Sequence, residues 1–529
     1  MDTPNLPHPK RWAILPVLCL SLFLVVVDNT IVNVALPTIS RTLGATTTQL
    51  QWIVDAYSLV FAGLLLAFGS LGDRFGRKGA LQLGLALFAL CSTVAAFVGS
   101  ADALIAARAT MGIGAALVFP ATLAILTNVF TEPVERAKAI GIWSAVSGLA
   151  VALGPLTGGF LLEHFWWGSI FLVNLPVVAV ALVLGQRLLP TMKDPDAGRL
   201  DPVGVVLSSA AVVLLVYTII EAPKHGWTEL WTLRGFVVAI ALFAGFVTWE
   251  LRSTHPMLDV RVFRNPRFSA ASLAVSIAFF SLFGFIFLIT QYFQFVLGYS
   301  TLSAGLHTLP FAFAAALGAP LAAALSVRIG TKRMVAAGLA SMCVGFVWAS
   351  TLTAGSSYWG SIVFSMMFIG AGLTMTTAPS TAAILGSLPP NKAGVGSAMN
   401  DTTRELGGTL GVAVVGSVFS SLYGPKLVDG LRGLPVPAQA LDAARSSVQA
   451  AAAVADRAPS PAAKQVVLDA ARTAFVDGMH GGARVCAVAS LVGVAVALAF
   501  LPARAPEPLV DLTADPGPDP VADPSPVLP

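Results

Sequence analysis

Runs of about twenty apolar residues recur along the whole chain, and no other feature limits its fold so severely. A helix of roughly 20 apolar residues spans the hydrocarbon core of a bilayer, about 30 Å thick. Fourteen such runs are present, at 12–36, 50–70, 80–98, 103–127, 138–161, 168–189, 203–221, 235–253, 268–297, 303–326, 333–352, 358–385, 394–420 and 483–502. Of 529 residues 56% are hydrophobic and 11% charged, against roughly 25% charged in soluble proteins. Mean hydropathy is +0.80. A water-soluble core cannot enclose that much apolar surface, so an all-α polytopic membrane protein with fourteen transmembrane helices is expected. A soluble enzyme, a secreted disulfide scaffold and a nucleic-acid binder are excluded. Cys19, Cys91, Cys343 and Cys486 all fall inside apolar runs with no metal or redox spacing. No nucleophile–base pair is visible, and neither cofactor nor metal is expected.

Basic residues orient the runs, because Lys and Arg accumulate on the cytoplasmic side. With residues 1–11 placed in the cytoplasm, the interior segments hold nineteen Lys and Arg, from Lys10 and Arg11 through Arg261, Arg264 and Arg267 to Arg504. The short exterior loops hold only Arg41, Lys224 and Arg234. Both ends are therefore expected in the cytoplasm, in the inner membrane of a cell. The first run is too long for a signal peptide and has no cleavage site. Residues 421–482 form an external Ala-rich stretch with short surface helices expected around Pro459 and Pro461, and 506–529 a Pro- and Asp-rich disordered tail.

A faint repeat organises the runs. Leu71, Arg74, Gly76 and Lys78 between runs 2 and 3 recur at the same spacing as Leu325, Arg328, Gly330 and Lys332 between runs 10 and 11, with Val327 in the place of Asp73. Gly112 and Gly114 of run 4 correspond to Gly370 and Gly372 of run 12, with Met366 in the place of Arg108. Setting aside 203–253 as two inserted helices leaves a six-helix half at 12–190 and a second at 268–502. Internal repeats of this kind mark secondary transporters.

Charged residues inside the runs point to chemistry, since each costs on the order of 3 kcal/mol to insert. Asp28 lies about 24 Å along the first helix, and Asp55 and Arg108 each about 8 Å from the outer ends of theirs, at 1.5 Å per residue. All three share a depth where an Asp beside an Arg can take or release a proton. Asp55 and Arg108 alternatively reach the outer interface by snorkelling. Asp401, Arg404 and Glu405 form a second group in run 13, with Asp401 and Arg404 spaced to pair on one helix face. Gly69, Asp73, Arg74, Gly76, Arg77 and Lys78 make a tight interior turn whose cations are expected to pair with Glu132 or Glu135 and latch one conformation. Gly154, Pro155, Gly158 and Gly159 allow close helix approach in run 5. Run 9 is dense in phenylalanine, and some of these rings are expected to line an apolar substrate cavity. No Gly-x-x-x-x-Gly-Lys-Ser/Thr occurs, so an ion gradient rather than ATP is the energy source.

Together these motifs resemble the major facilitator superfamily, in its fourteen-helix drug:proton antiporter branch. The stretch from Asp28 through Asn33 to Pro37 looks like that branch's first-helix signature. Residues 69–78 resemble the superfamily's loop motif between helices 2 and 3. Arg108 with Gly112 and Gly114 resembles its helix-4 motif, and Gly154, Pro155, Gly158 and Gly159 its antiporter motif. Ile170 to Pro176, Tyr292 through Pro310, and Arg404 to Gly408 are also similar. The resemblance implies alternating access and export of hydrophobic or cationic drugs or antibiotics in exchange for protons. It implies proton coupling at Asp28 and Arg108, a cytoplasmic gate including Asp73 and Arg77, and a monomer in the lipid bilayer. Met111 stands where Gln is frequent, Gly168 where Arg is usual, and Glu405 where Gln is common. A proton-driven peptide symporter would instead carry a Glu-rich first helix, and a receptor or scaffold would act through 421–482.

Overall fold

The computed structural model describes residues 8–191, 201–388, 393–432 and 436–502. The expected tail, Lys193, Arg199, Lys392 and Arg504, and the side chain of Asp73 lie outside the described residues. The long helices are α1 Arg11–Leu43, α2 Thr47–Phe75, α3 Arg77–Phe97, α4 Ala101–Val129, α5 Pro133–His164, α6 Ser169–Leu188 and α7 Pro202–His225. The series continues with α8 Leu230–Arg252, α9 Pro266–Val296, α10 Leu309–Ile329, α11 Thr331–Ala349, α12 Tyr358–Leu385, α13 Ala393–Gly430 and α14 Pro461–Phe500. Among the described residues thirteen helices are long and apolar enough to cross a membrane. The run expected at 50–70 lies on α2, which is 29 residues long.

Local chemistry sets the helix ends. Thr46 accepts from the Gln49 amide and the Gln49 side chain accepts from the Thr46 amide, a reciprocal cap that starts α2. Ser100 caps α4, and proline occupies the first turn of α5, α7, α9 and α14, where a missing N–H costs nothing. The turns after α2 and after α10 both pass through a glycine in a positive-φ conformation, Gly76 at 118° and Gly330 at 87°. These are the two glycines that the repeat aligns.

The repeat also governs packing. A side chain on Gly112 would meet the Tyr57 carbonyl of α2 at 2.6 Å, and one on Gly114 the Gly84 carbonyl of α3 at 2.9 Å. In the second half a side chain on Gly372 would meet the Gly338 carbonyl of α11 at 2.5 Å, while Gly370 abuts the Phe311 carbonyl of α10. In each half one helix thus uses two glycines, two residues apart, to press against two neighbours, as small residues do at lipid-embedded seams. Gly112→Val is therefore expected to force α2 from α4 at about 3 kcal/mol or more. Gly245→Val, at a position with nothing within 4 Å, serves as the control. Size-exclusion chromatography of the two variants in detergent after heating checks the difference.

We call the face where α1 begins the near face and the opposite one the far face. The two halves join at their far ends. The Gln51 amide of α2 donates to the Ala413 carbonyl of α13 at 3.1 Å, Thr290 of α9 to the Asn33 carbonyl at 3.0 Å, and Gln294 to the Val34 carbonyl at 2.9 Å. Gly159 of α5 abuts the short helix Thr301–Leu306, whose Thr301 hydroxyl donates back to the Gly159 carbonyl at 3.2 Å. Glu163 accepts from Ser300 and from the Leu302 amide at the same seam. The inserted pair lies along the side of the bundle. Ser209 of α7 donates to the Gly63 carbonyl of α2 at 3.4 Å, and Ser417 of α13 to the Ile219 carbonyl of α7 at 2.8 Å.

The segment 421–482 differs from a loop with surface helices. α13 runs 38 residues and α14 40 residues, or about 57 and 60 Å at 1.5 Å per residue, well beyond a bilayer core. Alanine keeps both helices going past the apolar run, and Pro461 sits in a first turn, where it starts a helix rather than breaking one. Between them stand two nine-residue helices, Ala438–Ser446 and Val448–Asp456.

Candidate functional site

Asp28 and Arg108 meet inside the first half as an ion pair between Oδ2 and Nη1, both side chains at 0% exposure. α1 supplies the carboxylate and α4 the guanidinium. The other Asp28 oxygen accepts from Asn174 Nδ2 of α6 at 2.9 Å, and the same amide donates to Ser92 Oγ of α3 at 3.0 Å. Ser92 in turn donates to the Phe171 carbonyl at 2.8 Å. Arg108 Nε donates to the Ile53 carbonyl of α2 at 3.1 Å, and its guanidinium carbon stands 4.2 Å from the centre of the Tyr57 ring. The Tyr57 hydroxyl donates to the Val25 carbonyl at 3.2 Å. Five helices therefore hold one pair, which pays part of the desolvation cost of burying two charges. Arg108 Nη2 has no hydrogen-bond partner.

Asp55 is also fully buried, and neither of its oxygens has a hydrogen-bond partner. It does not snorkel; α4 and α13 pack against α2, and the carboxyl is shut off from solvent. In the second half Asp401 and Arg404 pair at 3.6 Å, Arg404 lies 4.6 Å from the centre of the Phe279 ring, and Glu405 is half-buried beside them.

The expected cluster at the interior turn takes other partners. Glu135 pairs with Arg11 through two contacts of 2.5 and 2.9 Å rather than with the turn. Arg77 donates to the Ala124 carbonyl at 3.3 Å and Lys78 to the Gln186 carbonyl at 2.9 Å, so the turn is tied to α4 and α6. Arg74 is exposed and lies over the Phe75 ring, and Gly69 approaches Pro120. Arg11 is nearer than the turn to the first residues of α5, which sequence spacing alone does not reveal.

An apolar cleft separates the halves. Thr30 of α1 and Pro155 of α5 line one side; Leu282, Phe285 and Ile289 of α9 and Met366 of α12 line the other. Gly154 and Gly158 let α5 press on α1, with positions for added side chains 3.2 Å from the Ile31 amide and 3.1 Å from the Ile31 carbonyl. One helix, α1, therefore carries Asp28 toward α4 and α6, and Thr30 and Ile31 toward α5 and the cleft.

Asn174, Ser92, Tyr57 and Gln51 were not singled out by charge. The signal that does find Asn174 and Gln51 is a strongly polar amide within a run otherwise apolar; nothing local marks Ser92.

The model of the Major Facilitator Superfamily matches residues 18–412. The chain is 39% identical over 488 residues to the multidrug efflux pump LfrA of Mycolicibacterium smegmatis, covering 92% of this chain and 95% of that protein. It is 37% identical to the methyl viologen resistance protein SmvA of Salmonella typhimurium, covering 94% and 99%. It is 33% identical to the tetracenomycin C resistance and export protein of Streptomyces glaucescens, covering 92% and 91%. Among solved structures it resembles an inward-facing, unoccupied bacterial homologue of the human lysosomal transporter Spinster, with a TM-score of 0.60, 19% identity and coverage of 93% and 98%. The repeated halves, the glycine seams and these matches agree: this multi-pass membrane protein belongs to the Major Facilitator Superfamily.

Proposed function

We propose that the chain is a proton-coupled secondary active transporter that exports hydrophobic or cationic drugs or antibiotics by alternating access and so confers resistance. The observation that carries this reading is the sealed Asp28–Arg108 pair on one face of a helix whose other face lines the cleft. Lys and Arg concentrate at the near face, which makes that face cytoplasmic in an inner membrane. The far seam is then the external gate, with its two sides in contact.

Protonation of Asp28 removes the charge that holds Arg108. The α1–α4 contact loosens, and α1 is free to shift against α5, where Thr30 meets substrate space. Substrate that displaces α1 acts on Asp28 in reverse, so proton and substrate compete through one helix rather than at one atom. Asp55, buried without a partner, is a second candidate carrier, and Asp401, Arg404 and Glu405 supply charge in the other half. The cleft is apolar, with Thr30, Thr290 and Thr308 as its polar lining. That suits aromatic drugs, including those with delocalised positive charge. The relatives named for multidrug efflux and for tetracenomycin C export support this substrate class. Protons are the only coupling agent required, without a cofactor, and the unit is a monomer in the bilayer.

Purified protein in liposomes with an internal pH dye tests the reading. Addition of cationic, zwitterionic and neutral drugs is expected to produce substrate-dependent proton movement. Absence of movement with every compound overturns drug:proton exchange and favours another coupling ion or the receptor alternative.

A further inference from the structure

Two acidic side chains are buried at the near-face end of the inserted pair, on helices that contribute nothing to the Asp28 network. Asp201 is 6% exposed and Glu250 3% exposed. Asp201 caps α7, accepting from the Gly204 amide at 2.8 Å, and its two oxygens accept from the Trp249 indole N–H at 2.9 and 3.0 Å. Glu250 of α8 reaches forward along the chain, and its Oε2 accepts from the Leu258 amide at 3.1 Å. Leu258 belongs to the linker 253–265, which carries the 3₁₀ turn Val260–Arg264 and feeds directly into α9 of the second half.

Glu250 Oε1 has no hydrogen-bond partner. It lies over Gly204 together with an Asp201 oxygen: a side chain on Gly204 would meet Glu250 Oε1 at 2.5 Å and Asp201 Oδ2 at 2.8 Å. The two carboxyl groups thus share one small pocket, kept open by the missing Cβ. Among the described residues no cation forms an ion pair with either. The other charged groups near Glu250 come from the linker: Asp259, which accepts from the Arg261 amide at 3.2 Å, and Arg261, whose guanidinium donates to the Leu251 carbonyl at 3.3 Å.

We infer that Asp201 and Glu250 hold a single proton between them, a second proton-binding site that ties the inserted helices to the linker entering the second half. Two ionised carboxylates cannot share a dry pocket without a cation, whereas a carboxylic acid donating to a carboxylate makes a short, strong hydrogen bond. The proton occupies the one oxygen that otherwise has no partner. Its loss to the near-face solvent leaves two like charges, drives Glu250 from Asp201 and withdraws the acceptor from the Leu258 amide. The linker then loosens as the near face becomes alkaline. Because α7 packs on both α2 and α13, this tie decides whether the inserted pair moves with the second half when the halves rock.

The test uses the full-length protein and no transport assay, so its result is independent of the exporter reading. Glu250→Gln keeps an acceptor for the Leu258 amide and points a permanent N–H at Asp201. Hydrogen exchange of 253–265 is measured from pH 6 to 9 and corrected for intrinsic rates. In the wild type, protection of the linker is expected to fall about 10-fold across this range, while Glu250→Gln stays flat. Asp201→Asn, which puts the permanent donor on the other partner, is expected to be flat as well and serves if the first variant does not fold. Wild-type protection that is itself flat, or that falls in parallel with both variants, overturns the shared proton.

Discussion

Asp28→Asn is expected to reduce substrate-driven proton movement to background while the protein remains folded. The carboxylate is the only described anion paired with Arg108, and the proposed exchange runs through it. Removing one partner of a buried pair outright typically costs about 3–5 kcal/mol. Asparagine lowers that cost, because its carbonyl still accepts from Arg108 and a flip of the Asn174 amide accommodates its N–H₂. Arg108 also keeps its bond to the Ile53 carbonyl and its place over the Tyr57 ring. A monodisperse protein with a melting temperature lowered by a few degrees and no drug-dependent signal from the internal dye is the expected combination. Wild-type exchange by this variant would remove Asp28 from the coupling mechanism.

Gly159→Leu is expected to abolish transport by a different route, through the far-face seam proposed as the external gate. A Cβ at Gly159 would stand 2.6 Å from the Thr301 carbonyl and 2.7 Å from Leu302 Cα. Both obstacles are backbone, so neither yields by a rotamer change. The clash exists only while the far ends are together. An overpacking cost of about 1–3 kcal/mol, borne entirely by that state, shifts the balance between closed and open far ends roughly 5- to 150-fold. Ala152, which lines the cleft, provides the reporter. Ala152→Cys in the Gly159→Leu background is expected to react with a membrane-impermeant thiol reagent added at the far face, and to be protected with Gly159 intact. Equal protection in both backgrounds would show that the α5 contact with Thr301–Leu306 is not the gate.

The membrane architecture was legible in the sequence because lipid imposes a local rule: each crossing satisfies its own backbone hydrogen bonds, so every helix announces itself as an apolar run. The repeat was legible for a related reason. Gly76 and Gly330 each need a backbone that other residues resist, and Gly112, Gly114, Gly370 and Gly372 each need contact with a neighbouring backbone. Those demands act on single positions and survive divergence of everything between them. The long projections of α13 and α14 were less legible, since alanine extends a helix without adding the apolar length by which a crossing is recognised.

The number and order of the apolar runs, the two-half organisation and the charges carried into the membrane can be read from residue order alone. The partners of those charges come from how the helices pack. Asp28, Ser92, Arg108 and Asn174 come from four helices. Glu135 chose Arg11, 124 positions away, over the basic turn. Asp201 and Glu250 became neighbours because α7 and α8 pack antiparallel across Gly204. A buried charge takes whichever complementary group packing brings within about 3 Å. That proximity is set by helix rotation and tilt, which many weak van der Waals contacts determine jointly and no single stretch of sequence encodes.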